Sequence, residues 1–329
     1  MNLPVPMSGQ SAPLPTVVFI AGSGRSGSTL LERLLGTLPG FVNVGEINDV
    51  FRPAAKYDEK CGCSEAFSAC PFWTAVGERA FGGWTHELVT EARALQRAVA
   101  RQRYLPQLLA PGLGNGQFRS DLARFAELYA RLYRAVLAES GARVVVDASK
   151  RAAQAMALAR GVDIRLVHLV RDARGVSFSW AKPNVARPHG HGARATMPSY
   201  LPQDTAARWV FLQGQIALAR RLVTSSVLVR YEDLVAFPAR TLVRTAEGLG
   251  LPVSPADLAA VDGSRVDLPV SHGLSGNPSR FKTGPQTLTL DEQWRRDMSR
   301  WDRATTTAIA AGPLTRYHYL GGRTAGAAS

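Results

Sequence analysis

The chain has 329 residues, 46% of them hydrophobic, and a formal net charge of +13. This length and hydrophobic fraction support one large α/β domain or two small ones with an ample core. Only five of the 39 basic residues are lysines. The arginines that supply the rest match the geometry of phosphate and sulfate groups, although a GC-rich genome produces a similar bias.

The sequence lacks the features of three other classes of protein. No block of Lys and Arg with interleaved aromatic residues indicates a nucleic-acid partner. No apolar run approaches the length of a membrane span, about 20 residues. Residues 1–15 lack the basic start and apolar core of a signal peptide, and three cysteines, an odd number, fit a reducing compartment. We therefore predict a cytoplasmic protein with flexible tails at 1–15 and 321–329.

The first predicted elements are a strand, a glycine-rich turn and a helix within residues 16–36. The apolar, β-branched run at 17–20 predicts a buried parallel strand. The turn at 22–27 contains three glycines, and leucines recur at helical spacing after Ser28 and Thr29. Glycines allow close approach of the backbone, and the amides of such a loop and helix start point at one anion. This order of elements predicts a phosphate cradle; a turn that needs only tight geometry is the simpler alternative.

The predicted loop departs from the ATPase P-loop pattern at one position. The spacing from Gly22 to Gly27, and the Thr29 that follows, match that pattern. However, Ser28 stands where the ATPase lysine contacts the β- and γ-phosphates. The cation of this loop is instead Arg25, three residues earlier. We therefore predict a site for a 5′-phosphate that carries one further group, not for a triphosphate.

Four further strands are predicted, and each ends in a residue suited to a ligand site. The strands and the residues after them are 41–44 with Glu46, 143–147 with Lys150, 165–170 with Arg171 and 227–229 with Tyr231. In open α/β sheets, ligands bind beyond the carboxyl ends of the strands. The sequence thus predicts a P-loop-type three-layer α/β fold, with a central parallel sheet of about five strands flanked by helices. His168 lies within an apolar strand and is interpreted as a core histidine.

Residues 51–140 separate the second and third predicted strands and are predicted to be a mainly helical insertion, with helices at 86–110 and 119–140. The insertion contains all three cysteines, which are Cys61, Cys63 and Cys70. They offer three ligands for zinc, but the C-x-C spacing differs from the C-x2-C knuckle and no histidine lies nearby in sequence. We expect reduced thiols or one disulfide, and no metal.

Two irregular segments are expected to lie near the ligand. Residues 182–203 lack periodicity and contain His189 and His191; a loop this long inside a domain is usually functional, and we interpret it as a lid. Residues 271–284 predict a basic flap that closes over a phosphate, with a basic connector as the alternative. Further helices are predicted at 204–224, 238–249, 290–300 and 302–311.

The insertion and the lid are expected to form the pocket for an acceptor. Aromatic residues in and beside them suggest an apolar or aromatic surface there; they are Phe72, Trp73, Trp84, Tyr200 and Trp209.

Together these motifs resemble those of the sulfotransferases that use 3′-phosphoadenosine-5′-phosphosulfate (PAPS). The resemblance extends over about residues 16–300, is weakest over 51–140, and is closest to the bacterial branch and, in the first motifs, to tyrosylprotein sulfotransferases. It implies a single domain at 16–320, PAPS as donor, adenosine-3′,5′-bisphosphate as product and no metal. The implied partner is a small-molecule or glycan acceptor with a hydroxyl group, an amine being the second choice.

The resemblance also implies roles for individual residues. Arg25 would contact the 5′-phosphate and the sulfuryl oxygens, and Arg171 with Ser179, eight residues later, corresponds to the 3′-phosphate motif. The nucleotide-binding residues implied are Gly24, Arg25, Ser26, Gly27, Ser28, Thr29, Arg171, Ser179, Tyr231, Asn277 and Arg280.

Three catalytic residues are implied by the same resemblance. Glu46 corresponds to the general base of tyrosylprotein sulfotransferases, and Lys150 to a lysine at the leaving bridge oxygen. Arg25 would stabilise charge on the leaving phosphate. The histidine base of cytosolic relatives has no recognisable counterpart here, so His189 and His191 stay open as alternatives to Glu46.

Two other functions remain open from the sequence. A P-loop kinase or NTPase needs the lysine that Ser28 replaces and a magnesium-binding aspartate, for which Asp147 and Asp172 are candidates. A non-catalytic nucleotide-binding module is the second alternative, and the presence of Glu46 and Lys150 argues against it.

Overall fold

The computed structural model of the protein describes residues 13–51, 58–183 and 197–321. Its centre is a sheet of five parallel strands in the order β2-β3-β1-β4-β5. The strands are β1 (Thr16–Gly22), β2 (Phe41–Asn43), β3 (Val144–Lys150), β4 (Asp163–Val170) and β5 (Ser225–Arg230). The predicted α/β fold with a central parallel sheet of about five strands is confirmed.

Helices cover both faces of this sheet. The alternation along β1 explains why: Val17 and Phe19 join one apolar cluster, and Val18 and Ile20 join another on the opposite face. The first cluster is shared with the helical insertion, and the second with the first helix, through Leu31. The central strand is therefore buried on both sides, and its apolar run is the pattern of an interior parallel strand.

One or more helices follow each of these five strands along the chain. Up to the third strand they are α1 (Ser28–Leu35), α2 (Pro71–Phe81), α3 (His86–Val99), α4 (Leu105–Leu109) and α5 (Gly116–Ser140). Between the third, fourth and fifth strands and directly after the fifth they are α6 (Ala152–Leu158), α7 (Ala173–Ala181), α8 (Pro202–Ala219), α9 (Tyr231–Ala236) and α10 (Pro238–Gly248). Near the end of the described chain they are α11 (Trp294–Asp297), α12 (Arg300–Ile309) and α13 (Ala311–Arg316).

Two predicted helices are wrong in extent. The helix predicted at 86–110 stops at Val99, and α4 begins again at Leu105 with Pro106 in its first turn. A proline lacks the N–H that a continuous helix needs and clashes with the preceding turn. The helix predicted at 290–300 contains only the four residues of α11, because Asp291 just before it is bound to the side chain of Arg171.

The structure adds a second sheet that the sequence pattern did not predict. It is antiparallel and consists of β6 (Val261–Asp262), β7 (Arg265–Leu268) and β8 (Gly284–Thr287), strands too short to give a clear alternation. The segment that joins β7 to β8, residues 269–283, contains most of the predicted flap, and we call it the flap segment.

The aromatic residues of the insertion are interior rather than exposed. Trp73 and Trp209 are almost wholly buried, and Trp73, Trp84 and Phe67 pack on one another. Trp73 belongs to the core of the insertion, and Trp209 of α8 packs in a separate cluster with Val170 and Tyr317, so the expected aromatic acceptor surface is wrong for both. The interpretation of His168 as a core histidine is confirmed, because it is buried and its Nε2 lies 2.6 Å from Gln213 Oε1.

Some expectations fall outside the described residues. His189 and His191, most of the predicted lid, and the two tails apart from residues 13–15 and 321 belong to these parts of the chain. Among the helices that the structure describes, none is both long and apolar enough to cross a membrane.

A backbone joint ties the flap segment to the sheet. Leu274 N donates to Val44 O (3.0 Å), and Glu46 N donates to Leu274 O (2.8 Å), so Leu274 runs parallel to the chain just beyond β2. Gly45 lies in the joint with φ +75°, and a Cβ there would come within 2.2 Å of Leu274 O. Only glycine fits both the dihedral angle and the space.

We predict that Gly45→Ala destabilises the protein more than Gly141→Ala does. Gly141 also has a positive φ (+66°), but a Cβ there would meet nothing within 4 Å. The control thus isolates the dihedral cost of about 1 kcal/mol, whereas Gly45→Ala adds a backbone clash of roughly 2–3 kcal/mol. Urea unfolding of both variants measures the difference, and equal free energies of unfolding would contradict the joint.

Candidate functional site

A cavity of about 440 Å³ lies at the carboxyl edge of the sheet, between the glycine-rich loop and the flap segment. The structure brings most of the predicted site residues to its wall. Those that line it are Gly24, Arg25, Gly27, Ser28, Thr29, Glu46, Lys150, Arg171, Ser179, Tyr231 and Asn277. Other residues also line it, among them Asp49, Trp180, Met197, Ser275, Gly276, Ser279 and Asp291.

The glycine-rich loop has the backbone geometry of an anion site. Arg25 and Gly27 both have positive φ, 69° and 87°. Helix α1 begins directly after its N-cap residue Gly27, which has no side chain to cap the first N–H groups. Ser26 Oγ is buried and, among the described residues, has no hydrogen-bond partner. Free amides at a helix start are suited to bind phosphate or sulfate oxygens.

Two glycines of this loop are needed because aromatic rings press against them. A Cβ on Gly27 would come within 2.5 Å of the Tyr231 ring, and one on Gly24 within 2.7 Å of Trp180. The loop is thus packed between a side chain from the end of β5 and one from α7. This packing fixes the loop from two sides and leaves its inner edge open to the cavity.

Arg25 is held at the cavity by Trp180. Its guanidinium lies 5.1 Å from the centre of the Trp180 ring, and its second guanidinium nitrogen lies 2.8 Å from Met197 Sδ. Burial lowers the pKa of Arg25, but an arginine keeps its charge near neutral pH. A thioether is a weak acceptor, so an anionic oxygen would be a stronger partner for this guanidinium.

Arg171 connects the loop to two other segments. It donates to the carbonyl oxygen of Arg25 (2.9 Å) and to the carboxylate and carbonyl of Asp291 (3.0 Å each). Its guanidinium also stacks on the Tyr231 ring at 4.5 Å. Arg171 is nearly fully buried but still lines the cavity together with Ser179.

Glu46 and Lys150 form an ion pair at the opposite wall. Both side chains are largely buried, yet both line the cavity. Lys150 has a positive φ of 69°, which turns the chain at the end of β3, and it lies beside β1 at a register shift. Backbone strain of this kind at a lysine in a cavity wall is typical of functional sites.

A buried network fixes the turn that contains Glu46. Asp147 accepts hydrogen bonds from Tyr133 Oη (2.6 Å) and Ser149 N (2.8 Å), and Ser149 Oγ in turn accepts from Asn48 N (2.9 Å). Burial raises the pKa of Asp147 to about 6, although these hydrogen bonds oppose the shift. The network lies behind the cavity wall and positions Glu46 without taking up its carboxylate.

The flap segment closes the third side and is tied down by Arg33 of α1. Arg33 donates to the carbonyls of Ser279 (3.0 Å), Pro269 (2.8 Å) and Lys282. Gly276 packs so closely that a Cβ would lie 3.1 Å from Glu46 Oε1 and 3.3 Å from Thr29 Oγ1. The flap segment thus lies against Glu46 as well as the start of α1.

Arg280 lies away from the cavity lining. It is buried, donates to Lys60 O (3.2 Å) and stacks on Phe281. Ser26, likewise, lies behind the lining. The structure therefore does not bring these two predicted nucleotide ligands to the wall that the described residues form, and their contact with a nucleotide stays a prediction.

Glu32 is a buried acid near Lys150 and Glu46 that the sequence interpretation missed. It lies in α1, is fully buried, and its Oε2 has no hydrogen-bond partner among the described residues. Burial raises its pKa to about 8, with Lys150 opposing and Glu46 and Asp147 adding to the shift. A carboxyl group in the leucine-rich face of α1 was the available signal, since acids are rarely buried without a reason.

The fold and this cavity define an α/β protein with a glycine-rich loop at the carboxyl edge of a parallel sheet, and the backbone of this loop has the geometry of an anion site. A sequence model of the sulfotransferase family matches residues 15–255. The chain therefore belongs to the sulfotransferase family.

Solved structures with a similar fold are also sulfotransferases, at low similarity. The sulfotransferase domain of the Synechococcus PCC 7002 olefin synthase is 18% identical, with 94% of this chain and 98% of that chain covered and a TM-score of 0.46. The sulfotransferase domain of the curacin biosynthetic pathway is 16% identical, with 92% of this chain and 98% of that chain covered and a TM-score of 0.47. The sulfotransferase STF9 from Mycobacterium avium is 14% identical, with 93% of this chain and 77% of that chain covered and a TM-score of 0.45. No curated protein matches the chain, and family membership rests on the family model.

We predict that Glu32→Gln removes a pH dependence of stability. The folded chain binds the Glu32 proton up to about pH 8, whereas the ordinary value for the unfolded chain is 4.5, so the free energy of unfolding falls as pH rises between these values. As pH rises through this range, the free energy of unfolding of the variant should increase by about 3–5 kcal/mol relative to that of the wild type. Urea unfolding at pH 5 and pH 8.5 measures this, with the exposed Glu127→Gln as control; parallel pH profiles would contradict it.

Proposed function

We propose that the protein is a PAPS-dependent sulfotransferase that transfers the sulfuryl group to an acceptor hydroxyl. The observation that carries this proposal is one cavity that the cations Arg25, Lys150 and Arg171 all line. The glycine-rich loop with Arg25 lies beside Arg171 and Ser179, and the Glu46–Lys150 pair lies on another wall. A nucleotide with phosphates at both its 5′ and 3′ positions would use all of these groups.

The donor would bind through charge-assisted hydrogen bonds. The amides at Gly27 to Thr29 and the guanidinium of Arg25 would contact the 5′-phosphosulfate. Arg171 and Ser179 would contact the 3′-phosphate, and Tyr231 would pack at the adenosine. Asp291, which is bound to Arg171, would have to yield part of that guanidinium to the phosphate.

The transfer itself would be an in-line displacement through a loose transition state. The acceptor oxygen forms a bond to sulfur while the bond from sulfur to the bridging phosphate oxygen breaks. The acceptor proton goes to the Glu46 carboxylate, and Lys150 and Arg25 stabilise the charge left on adenosine-3′,5′-bisphosphate. Fixed cations would thereby supply the electrostatic stabilisation, which is usually the largest single term.

A second cavity suggests where the acceptor binds. It measures about 560 Å³ and shares Lys150 with the first. Arg101, Arg103 and Arg151 also line it. These positive charges favour an acceptor that carries an anionic group besides its hydroxyl. In a sulfonation assay, 4-hydroxyphenylacetate should therefore be a better acceptor than the matched neutral 4-methylphenol; the reverse order would contradict an anionic acceptor.

The kinase or NTPase alternative loses its magnesium ligands. Asp147 accepts hydrogen bonds from Tyr133 and Ser149, and Asp172 accepts a hydrogen bond from Arg174. Neither aspartate lines the cavity that the described residues form. This supports a donor that is bound by fixed cations.

The deciding experiment compares two nucleotides. Adenosine-3′,5′-bisphosphate should raise the melting temperature of the protein, and ATP with magnesium should do so much less. The full chain should then transfer label from [35S]PAPS to at least one hydroxyl compound of a panel. Stabilisation by ATP with magnesium alone would sink the proposal, and bisphosphate binding with no transfer to any acceptor would favour the non-catalytic module.

We predict that Glu46→Gln abolishes most turnover but keeps nucleotide affinity. A general base contributes typically 10²–10⁴-fold, and the amide cannot accept the proton. Asp49→Asn is the matched control, because Asp49 is another carboxylate in the wall of the same cavity. Turnover and bisphosphate affinity are measured on both variants, and retained turnover in Glu46→Gln would remove Glu46 as the base.

We predict that Arg171→Ala weakens the binding of adenosine-3′,5′-bisphosphate far more than the binding of adenosine-5′-phosphate. The loss of a charge-assisted bond to a 3′-phosphate should cost about 10- to 100-fold in affinity. Arg174→Ala is the control for removing a buried, carboxylate-paired arginine, since Arg174 pairs with Asp172 and does not line the cavity formed by the described residues. Calorimetry with both nucleotides measures the ratio, and equal weakening would contradict the 3′-phosphate role.

A further inference from the structure

Three cysteines and one histidine meet where the insertion contacts the flap segment. Cys61, Cys63 and Cys70 come from the insertion, and His272 comes from the flap segment. The four potential ligand atoms, three sulfurs and one ring nitrogen, all lie within 4.8 Å of one another. The histidine that the sequence did not offer near the cysteines is therefore supplied by a segment about two hundred residues later in the chain.

The separations match the edges of a metal tetrahedron. Cys63 Sγ lies 3.7 Å from Cys70 Sγ, and His272 Nδ1 lies 3.6 Å from Cys61 Sγ and 3.4 Å from Cys70 Sγ. Zinc bonds of about 2.3 Å to sulfur and about 2.0–2.1 Å to nitrogen, at tetrahedral angles, put neighbouring ligand atoms about 3.5–3.8 Å apart. Three of the six separations therefore match these edges, and all six are within 4.8 Å.

We propose that Cys61, Cys63, Cys70 and His272 bind one structural Zn²⁺ ion. Three thiolates and one imidazole form a closed set of the Cys₃His type, and soft sulfur ligands in a tetrahedral arrangement select zinc. Four protein ligands leave no open position, so the ion has a structural and not a catalytic role. The expectation of reduced thiols without a metal came from spacing in sequence, which does not reveal His272.

A disulfide explains the same atoms less well. All three cysteines are free, and the 3.7 Å between the Cys63 and Cys70 sulfurs is much longer than the about 2.05 Å of an S–S bond. A disulfide would also leave one thiol and the imidazole nitrogen without a role. Zinc uses all four atoms.

The surroundings hold His272 in the orientation that binding needs. Its ring stacks on Phe72 with centroids 4.6 Å apart and planes 12° from parallel. Its backbone carbonyl accepts a hydrogen bond from Trp73 Nε1 (2.8 Å), and Gly62 N donates to Gly273 O (3.0 Å). Such outer contacts fix the ligand orientation at metal sites.

The zinc ion would connect the insertion to the wall of the nucleotide cavity. His272 precedes Leu274 by two residues, and Leu274 is hydrogen-bonded on either side of Gly45, next to Glu46. Arg280 reaches the same side of the flap segment through its bond to Lys60 O. The ion would thus fix the flap segment in place, whatever reaction the cavity performs.

The first test measures metal in the wild-type protein. The full chain, purified without a metal-binding tag from zinc-supplemented cells, should contain about one zinc per chain by ICP mass spectrometry. Replacement by Co²⁺ should give the intense visible bands of a tetrahedral thiolate site. A chain with no zinc that also shows no such cobalt spectrum would overturn the proposal, and so would a Cys63–Cys70 disulfide in protein prepared under reducing conditions.

The second test uses variants matched in their ligand chemistry. His272→Ala should lose zinc, whereas His272→Cys should keep it as a Cys₄ site, and the exposed His86→Ala should behave as wild type. Chelation of wild-type zinc should lower the melting temperature by several degrees, and Zn²⁺ but not Mg²⁺ should restore it. Unchanged zinc content in His272→Ala would overturn the assignment, and the chelation arm decides the question even if that variant fails to fold.

Discussion

The buried guanidinium of Arg171 is the interaction on which the carboxyl edge of the sheet depends. A charge removed from water is costly unless its donors are all used. Arg171 uses its donors on the carbonyl of Arg25 and on Asp291, and its flat face on Tyr231. The loop after β1, the start of α9 and the chain before α11 must therefore adopt their positions together. These segments form one side of the cavity, and Arg171 holds them together there.

The wall that contains Glu46 and Lys150 also buries charged groups, but here they are of both signs. Glu46 and Lys150 pair at the surface of the cavity, while Glu32 and Asp147 lie buried behind them with raised pKa values. Three acids near one lysine cannot all be charged at low cost, so burial favours the protonated form of the deepest one. The flap segment closes over this cluster, because Arg33 binds its carbonyls and Gly45 admits Leu274 beside the sheet. The Glu46–Lys150 wall and the flap segment are thus held together as one unit.

Local patterns predicted much of the fold and most of the cavity wall. The apolar strand before the glycine loop, and the polar residues after the other strands, are contiguous features, and parallel strands bring their carboxyl ends to one edge. For this reason Arg25, Lys150 and Arg171 were found from sequence. The failures involve partners far away in the chain. Arg171 prevents the helix predicted at 290–300 by binding Asp291, and Lys60 draws Arg280 away from the cavity wall. Glu32 was hidden because its neighbours in space are not its neighbours in sequence.

The sequence by itself determined that the chain is an α/β protein with a glycine-rich strand-to-helix loop that lacks the ATPase lysine, because strand, turn and helix signals act over a few residues. Only the tertiary structure decided which side chains share a wall, which acids are buried together, and that His272 meets the cysteines of the insertion. These outcomes depend on contacts between segments up to about two hundred residues apart. Burial and ligand geometry belong to the packed chain, and no local pattern contains them.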